Sequence, residues 1–220
     1  MAVHFIHIRK TGGSAIKFAI RSAGKPPTPY GPLRLHKHQY TLRQVPPGDL
    51  AFFFLRDPIS RFVSGFYSRL RKGQPRLYVE WTPAEQEAFT TYATPQHLAE
   101  DLADGRRTAR KAMNSIGHVR HRYEYWLGEP RRLAKKLDQI LFIGRQETLG
   151  DDWLRLRSLL DLPPDLDLPT DPVIAHRGLE GEDRTLSELQ AAAIKRWYRS
   201  DYRILELCDQ VRHGLGPGSG

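Results

Sequence analysis

Arg9-Lys10-Thr11-Gly12-Gly13-Ser14 brings two cations, two hydroxyls and two glycines into one short stretch. The glycines let the backbone turn tightly and come close to a ligand. If a helix begins there, its first N–H groups point at one spot, and the helix dipole favours an anion. Lys10 adds a point charge, while Thr11 and Ser14 add hydroxyl donors. The same stretch could also be a plain strand-to-helix turn. A second stretch, Arg56-Asp57-Pro58-Ile59-Ser60-Arg61-Phe62-Val63-Ser64, sets Ser64 about two helical turns after Arg56. With Pro58 in the first turn of a helix, Arg56 and Ser64 could grip one phosphate from two sides. Ser60 and Arg61 read as solvated helix residues. Gly144-Arg145 adds a third cationic position.

Two histidines complete the reactive inventory. Leu35-His36-Lys37-His38 sets them at alternate positions, on one side of an extended segment. Histidine takes a proton readily near neutral pH, so either could be a general base. No third ligand stands nearby to make the pair a metal site. His4 and His7 fall within an apolar run and read as core histidines on opposite faces. His118 and His121, beside Arg120 and Arg122, read as a solvated helix face. Phe66, Tyr67 and Trp126 are candidates for stacking an adenine or for the core.

The surrounding pattern must position these groups. Residues 3–8, 49–55 and 139–143 are apolar enough for buried strands. Helices are predicted over 15–20, 59–72 and 149–160, and in pieces over 94–137 broken near Gly105, Gly117 and Gly128. Residues 24–34 and 161–184 read as loops, and 73–93 as mixed. A last helix is predicted over 185–208, opened by a capping box at Thr185-Leu186-Ser187-Glu188. Three apolar strands, each followed by a helix, imply an α/β fold: a parallel central sheet flanked by helices. Ligands in such folds sit at the carboxyl ends of the strands. Those ends carry Lys10 to Gly13, Arg56-Asp57 and Gly144-Arg145.

Composition sets the bounds. The 220 residues are 40% hydrophobic, enough for one domain over 1–213 with a disordered tail at 214–220. The formal charge is +9, and 25 of the 34 basic residues are arginine, the side chain suited to bidentate contact with phosphate, sulfate or carboxylate. The expected partner is therefore a nucleotide, a nucleic acid or an acidic polymer. No zinc-finger, homeodomain or RNP signature favours nucleic acid. Cys208 is the only cysteine, which excludes a disulfide framework within the chain and a multi-thiolate zinc site. No apolar run suits a membrane span, and the first residues lack a signal-peptide pattern, so a soluble cytoplasmic protein is expected. The lysine precedes the glycines, which is not the order of a Walker A loop.

The two anion motifs together resemble those of sulfotransferases that use 3′-phosphoadenosine 5′-phosphosulfate. The likeness is greatest to carbohydrate-type and bacterial members, whose loop often reads His-Ile-Pro-Lys-Thr-Gly-Gly. Here His7-Ile8-Arg9-Lys10-Thr11-Gly12-Gly13 has arginine in place of proline, implying a less rigid loop or an added anion contact. Weaker likenesses lie at Lys37-His38-Gln39-Tyr40-Thr41, Phe142 to Glu147, and Tyr198 to Tyr202. The resemblance implies a P-loop-NTPase-like sulfotransferase fold. It assigns Arg9, Lys10, Thr11, Gly12, Gly13, Ser14, Arg56, Ser64 and Arg145 to the cofactor. Lys10 would stand at the bridging oxygen, and Arg56 and Ser64 at the 3′-phosphate. It favours His38 as base, with His36 second. The implied reaction moves a sulfuryl group to a hydroxyl of a saccharide or other small metabolite, including anionic ones, without a metal. The alternative is a nucleotide- or nucleic-acid-binding protein of similar fold that lacks this activity.

Overall fold

Strands form where the sequence is continuously apolar. In the computed structural model, which describes residues 1–24, 26–75, 77–171 and 181–214, these are β1 (Val3–Ile6), β3 (Leu50–Leu55) and β4 (Ile140–Arg145), with a short β2 (Leu33–Leu35). All pairings are parallel and the order is β2-β1-β3-β4. The helices are, in chain order, α1 (Gly13–Ser22), α2 (Pro58–Leu70), α3 (Pro83–Thr91), α4 (Pro95–Ala103), α5 (Arg107–Ser115), α6 (Glu124–Leu127), α7 (Pro130–Ala134), α8 (Leu149–Leu159), α9 (Glu188–Trp197) and α10 (Arg199–Arg212). None is long and apolar enough to cross a membrane among the described residues. The architecture is the α/β fold that the apolar strands imply.

Both faces of the sheet are buried, which is why its strands need no polar alternation. On one face Val3, Phe5, Phe52 and Phe54 pack with Ile16, Ala19 and Ile20 of α1 and with Trp153 and Leu156 of α8. On the other, Ile6, Phe53 and Leu55 are fully buried. Gly144 in β4 is required by this packing. A Cβ there would meet carbons of the Phe54 ring at 2.2 and 2.3 Å. That ring is itself fully buried and cannot retreat. Gly144→Ala should therefore cost about 1–3 kcal/mol, read as a lower urea midpoint with little change in slope.

The chain divides into two compact units. One takes the described residues of 1–56, 123–176 and 203–220 and holds the sheet; the other takes those of 57–122 and 177–202. The second unit is helical. Asp57 caps α2 by accepting from Ser60 N at 2.9 Å, and Pro58 fills its first position. Phe62, Val63 and Phe66 then pack with Phe89, Tyr92, Leu98, Met113, Ile194 and Tyr198. Two ion pairs lie inside: Arg61 with Asp201 at 2.7 Å, and Arg69 with Glu85 at 2.6 Å. Burial pushes the Glu85 carboxyl up, but Arg69 and the N–H groups of Thr82 and Gly117 outweigh this and hold it near about 2.

Several expectations are corrected. Residues 24–34 are not all loop, because Leu33 to Leu35 pair with β1. Residues 73–93 contain α3, started by a Thr82–Glu85 capping box. The last helix is two helices that meet at Tyr198, and its capping box is Ser187 with Gln190 rather than Thr185 with Glu188. Arg61 is not solvated; it is 1% exposed. The expected disordered tail falls at 215–220 outside the described residues, as do residues 172–180 of the expected 161–184 loop.

Candidate active site

The turn from β1 into α1 is built on left-handed backbone. Lys10 has φ +65° and Gly12 φ +84°. For a lysine that conformation costs roughly 1–2 kcal/mol, so the fold imposes it. Such turns gather backbone N–H groups into a concavity suited to an anion. Gly12 is the N-cap of α1, no side chain caps the helix, and its first turn holds no acidic residue. Its leading N–H groups therefore face outward without an acceptor of their own helix. The Thr11 hydroxyl donates to Ile8 O at 3.0 Å and holds the turn, so contact with a ligand falls to its backbone. Ser14 is half-buried at the helix start, and Arg9 is half-buried beside the turn. A Cβ on Gly13 would meet His7 Cδ2 at 2.3 Å; only glycine lets the turn close over that ring.

Arg56 leaves the end of β3. Its backbone is clasped by Tyr123: Arg56 N donates to the hydroxyl at 2.9 Å, and the hydroxyl donates to Arg56 O at 2.5 Å. Its guanidinium donates from Nη1 to Lys10 O at 3.4 Å, which sets it against the turn. Arg145 ends β4, level with Leu55. Its guanidinium meets Glu147 at 3.3 Å and Asp209 at 3.5 Å, so a ligand must compete with two carboxylates for it. Ser64 is half-buried on α2, in the helical unit.

β2 delivers the two histidines. All four strands are parallel, so the segment after β2 emerges at the same sheet edge as the β1 turn, Arg56 and Arg145. His36 Nε2 lies 2.9 Å from His4 Nδ1, and His4 Nε2 lies 3.0 Å from Asp49 Oδ2. The Tyr40 ring stacks on His36 at 3.4 Å between centroids. His4 is thus buried in a polar cluster rather than an apolar core. Its bond holds the Asp49 carboxyl below the usual carboxylate range. His38 Nδ1 is 2.9 Å from His7 O. A carbonyl only accepts, so Nδ1 carries the proton and Nε2 keeps its lone pair. Burial, then the charges of Arg9, Lys17 and Lys10, lower the His38 imidazole to about 4, against the bond to His7, which raises it. Burial, then His4, Lys17 and Arg34, lower His36 to about 4 as well.

The structure therefore brings the turn, the Arg56 guanidinium and His38 together at one edge. Two contributors escaped the sequence reading, and a third holds another place than stacking. Tyr123 braces Arg56; Trp126, a stacking candidate, is buried with Nε1 donating to His38 O at 2.7 Å; Lys17 donates to His36 O at 2.6 Å. Phe66 belongs to the helical core, and the Tyr67 hydroxyl donates to Asp183 O at 2.7 Å. His121 Nε2 accepts from Arg120 Nε at 3.2 Å, while its carbonyl accepts from Arg61.

A covered parallel sheet, with an uncapped, glycine-turned helix start and cationic strand ends at one edge, defines an α/β protein whose sheet edge has the features that suit an anion. The family model described as the sulfotransferase family matches residues 2–207 of the 220, and the chain belongs to that family. It is thus a transferase by family. No curated protein matches the chain.

Proposed function

We propose that this protein transfers a sulfuryl group from 3′-phosphoadenosine 5′-phosphosulfate to an acceptor hydroxyl on a saccharide or other small metabolite. The observation that carries this reading is the left-handed turn at Lys10 and Gly12, which opens the uncapped start of α1 with the Arg56 guanidinium against it. Such a cradle fits the anionic end of a nucleotide. When bound, the donor supplies the sulfuryl group. The N–H groups of Gly12, Gly13 and Ser14 hold its 5′-phosphate, and Arg56 its 3′-phosphate. The family resemblance adds Ser64 to the 3′-phosphate, and Arg9 and Arg145 to the binding set. Lys10 neutralises charge that develops on the leaving oxygen. His38 takes the acceptor's proton at Nε2, the nitrogen its bond to His7 leaves bare. His36 is the poorer base because its Nε2 is already engaged by His4. The basic surface favours an acceptor that itself carries carboxylate or sulfate.

Calorimetric titration with 3′-phosphoadenosine 5′-phosphate, beside ADP and ATP and without metal, tests the reading. Selective binding of the bisphosphate, weakened at least tenfold by Arg56→Ala, is the expected result, since a charge-assisted bond is worth about 1.5–3 kcal/mol. Equal binding of all three nucleotides, or none, would sink it and leave the nucleotide- or nucleic-acid-binding alternative.

A further inference from the structure

We infer that Lys17 is a positioning residue for His38, tying the segment that carries this base to the helix that receives the phosphates. The inference rests on the proposed sulfuryl transfer only for the role of His38 as base. Lys17 lies one turn beyond Gly13 on α1 and is 9% exposed. Its Nζ donates to His36 O at 2.6 Å. Two further bonds fix the same segment: His38 Nδ1 to His7 O, and Trp126 Nε1 to His38 O. The base is thus pinned from α1, from the residue after β1 and from α6.

A structural anchor need not be a cation. Burying an amine is costly, and here burial, then Arg21 and Lys37, lower Lys17 to about 8. No carboxylate pairs with it among the described residues; its partner is a carbonyl. A leucine or methionine would fill the space at less expense. What the charge adds is its field, which opposes protonation of His38 together with Arg9 and Lys10, and of His36 together with His4 and Arg34. Lys17 therefore places the imidazole and adds its charge to the burial and the Arg9 field that keep Nε2 bare. An anion arriving at the start of α1 offsets that field just when the base must accept a proton.

The test compares Lys17→Met and Lys17→Arg with the unaltered protein. The first readout is the His38 imidazole titration by NMR in the free protein. Lys17→Met should move its midpoint up toward the ordinary histidine range, and Lys17→Arg should keep it low. The second is steady-state kinetics. Lys17→Met should lower kcat on the order of 10²-fold, the cost of a base misplaced by about 1 Å, with KM for the donor little changed and Lys17→Arg restoring most of the rate. An unmoved His38 midpoint in Lys17→Met overturns the inference, as does an unmoved kcat. If the unaltered protein transfers no sulfuryl group, the functional reading fails, while the imidazole titration still decides the positioning. Should Lys17→Met not fold, the wild-type His36 carbonyl carbon decides: its signal should shift with a midpoint near about 8 as Lys17 loses its proton. A signal static through that range overturns the inference.

Discussion

His38→Asn should lower kcat by about 10²–10⁴-fold while leaving 3′-phosphoadenosine 5′-phosphate affinity nearly intact. Asparagine can still donate to His7 O in place of Nδ1–H, so the segment stays anchored and only the basic Nε2 is lost. His36→Asn should cost far less. Its ring stacks on Tyr40 and its Nε2 is engaged by His4. The pH dependence follows in sign. A base works deprotonated, and His38 is lowered to about 4, so kcat/KM should stay level from neutral pH down to about 5 and fall below that. Bound donor offsets the charges of Arg9, Lys17 and Lys10, which raises the imidazole. The acid limb of kcat should therefore lie at higher pH than that of kcat/KM. A kcat of His38→Asn within threefold of wild type would falsify the assignment.

Asp201→Ala should remove about 3–5 kcal/mol of stability from the helical unit, the cost of leaving a buried charge without its counter-ion. Asp201 is fully buried and accepts from Arg61 Nη2 at 2.7 Å, while Arg61 Nη1 donates to His121 O at 3.0 Å. The Tyr198 ring lies 5.3 Å from the guanidinium carbon. With the carboxylate gone, the guanidinium loses this ion pair, while the bond to His121 O and the Tyr198 ring face remain. Thermal unfolding should shift down by about 2–4 °C per kcal/mol lost. Replacing both residues together, Arg61→Met with Asp201→Leu, should recover much of the loss, because apolar partners of similar volume need no desolvation. A double variant no more stable than Asp201→Ala would show that the bond to His121 O, not the ion pair, dominates.

Much of the sheet edge was legible because its strands are apolar without interruption and end on charge. Leu50 to Leu55 could hardly be anything but a buried strand, and Arg56 marks where it surfaces. The glycine pair likewise announced a turn. β2 was hidden because three residues carry too little pattern, and Pro32 before it reads as loop. That omission mattered, since β2 is what aims His36 and His38 at the turn. Arg61 misled because a helical arginine is normally solvated; its partner Asp201 stands far along the chain, and no local signal joins them. Tyr123 and Lys17 escaped for the same reason, each acting through a bond to a distant carbonyl or amide. The break at Tyr198 was invisible because its residues favour helix on both sides; Tyr198 stands there at φ −99° and ψ 26°, its hydroxyl donating to Val119 O at 2.6 Å.

The strand order has a consequence for synthesis. β1 sits between β2 and β3, and β4 begins 85 residues after β3 ends. At ribosomal speeds β3 is made roughly 4–17 s before β4. Throughout that interval the edge of Phe52-Phe53-Phe54 that β4 will cover has no partner strand, an aggregation-prone run on a nascent chain. Asp49 stands before β3, and Arg56 and Asp57 directly after it. Charges flanking an apolar strand act as gatekeepers against intermolecular pairing. Arg56, proposed here to hold a phosphate, is thus already at work before any site exists, keeping the growing polypeptide from joining its neighbours.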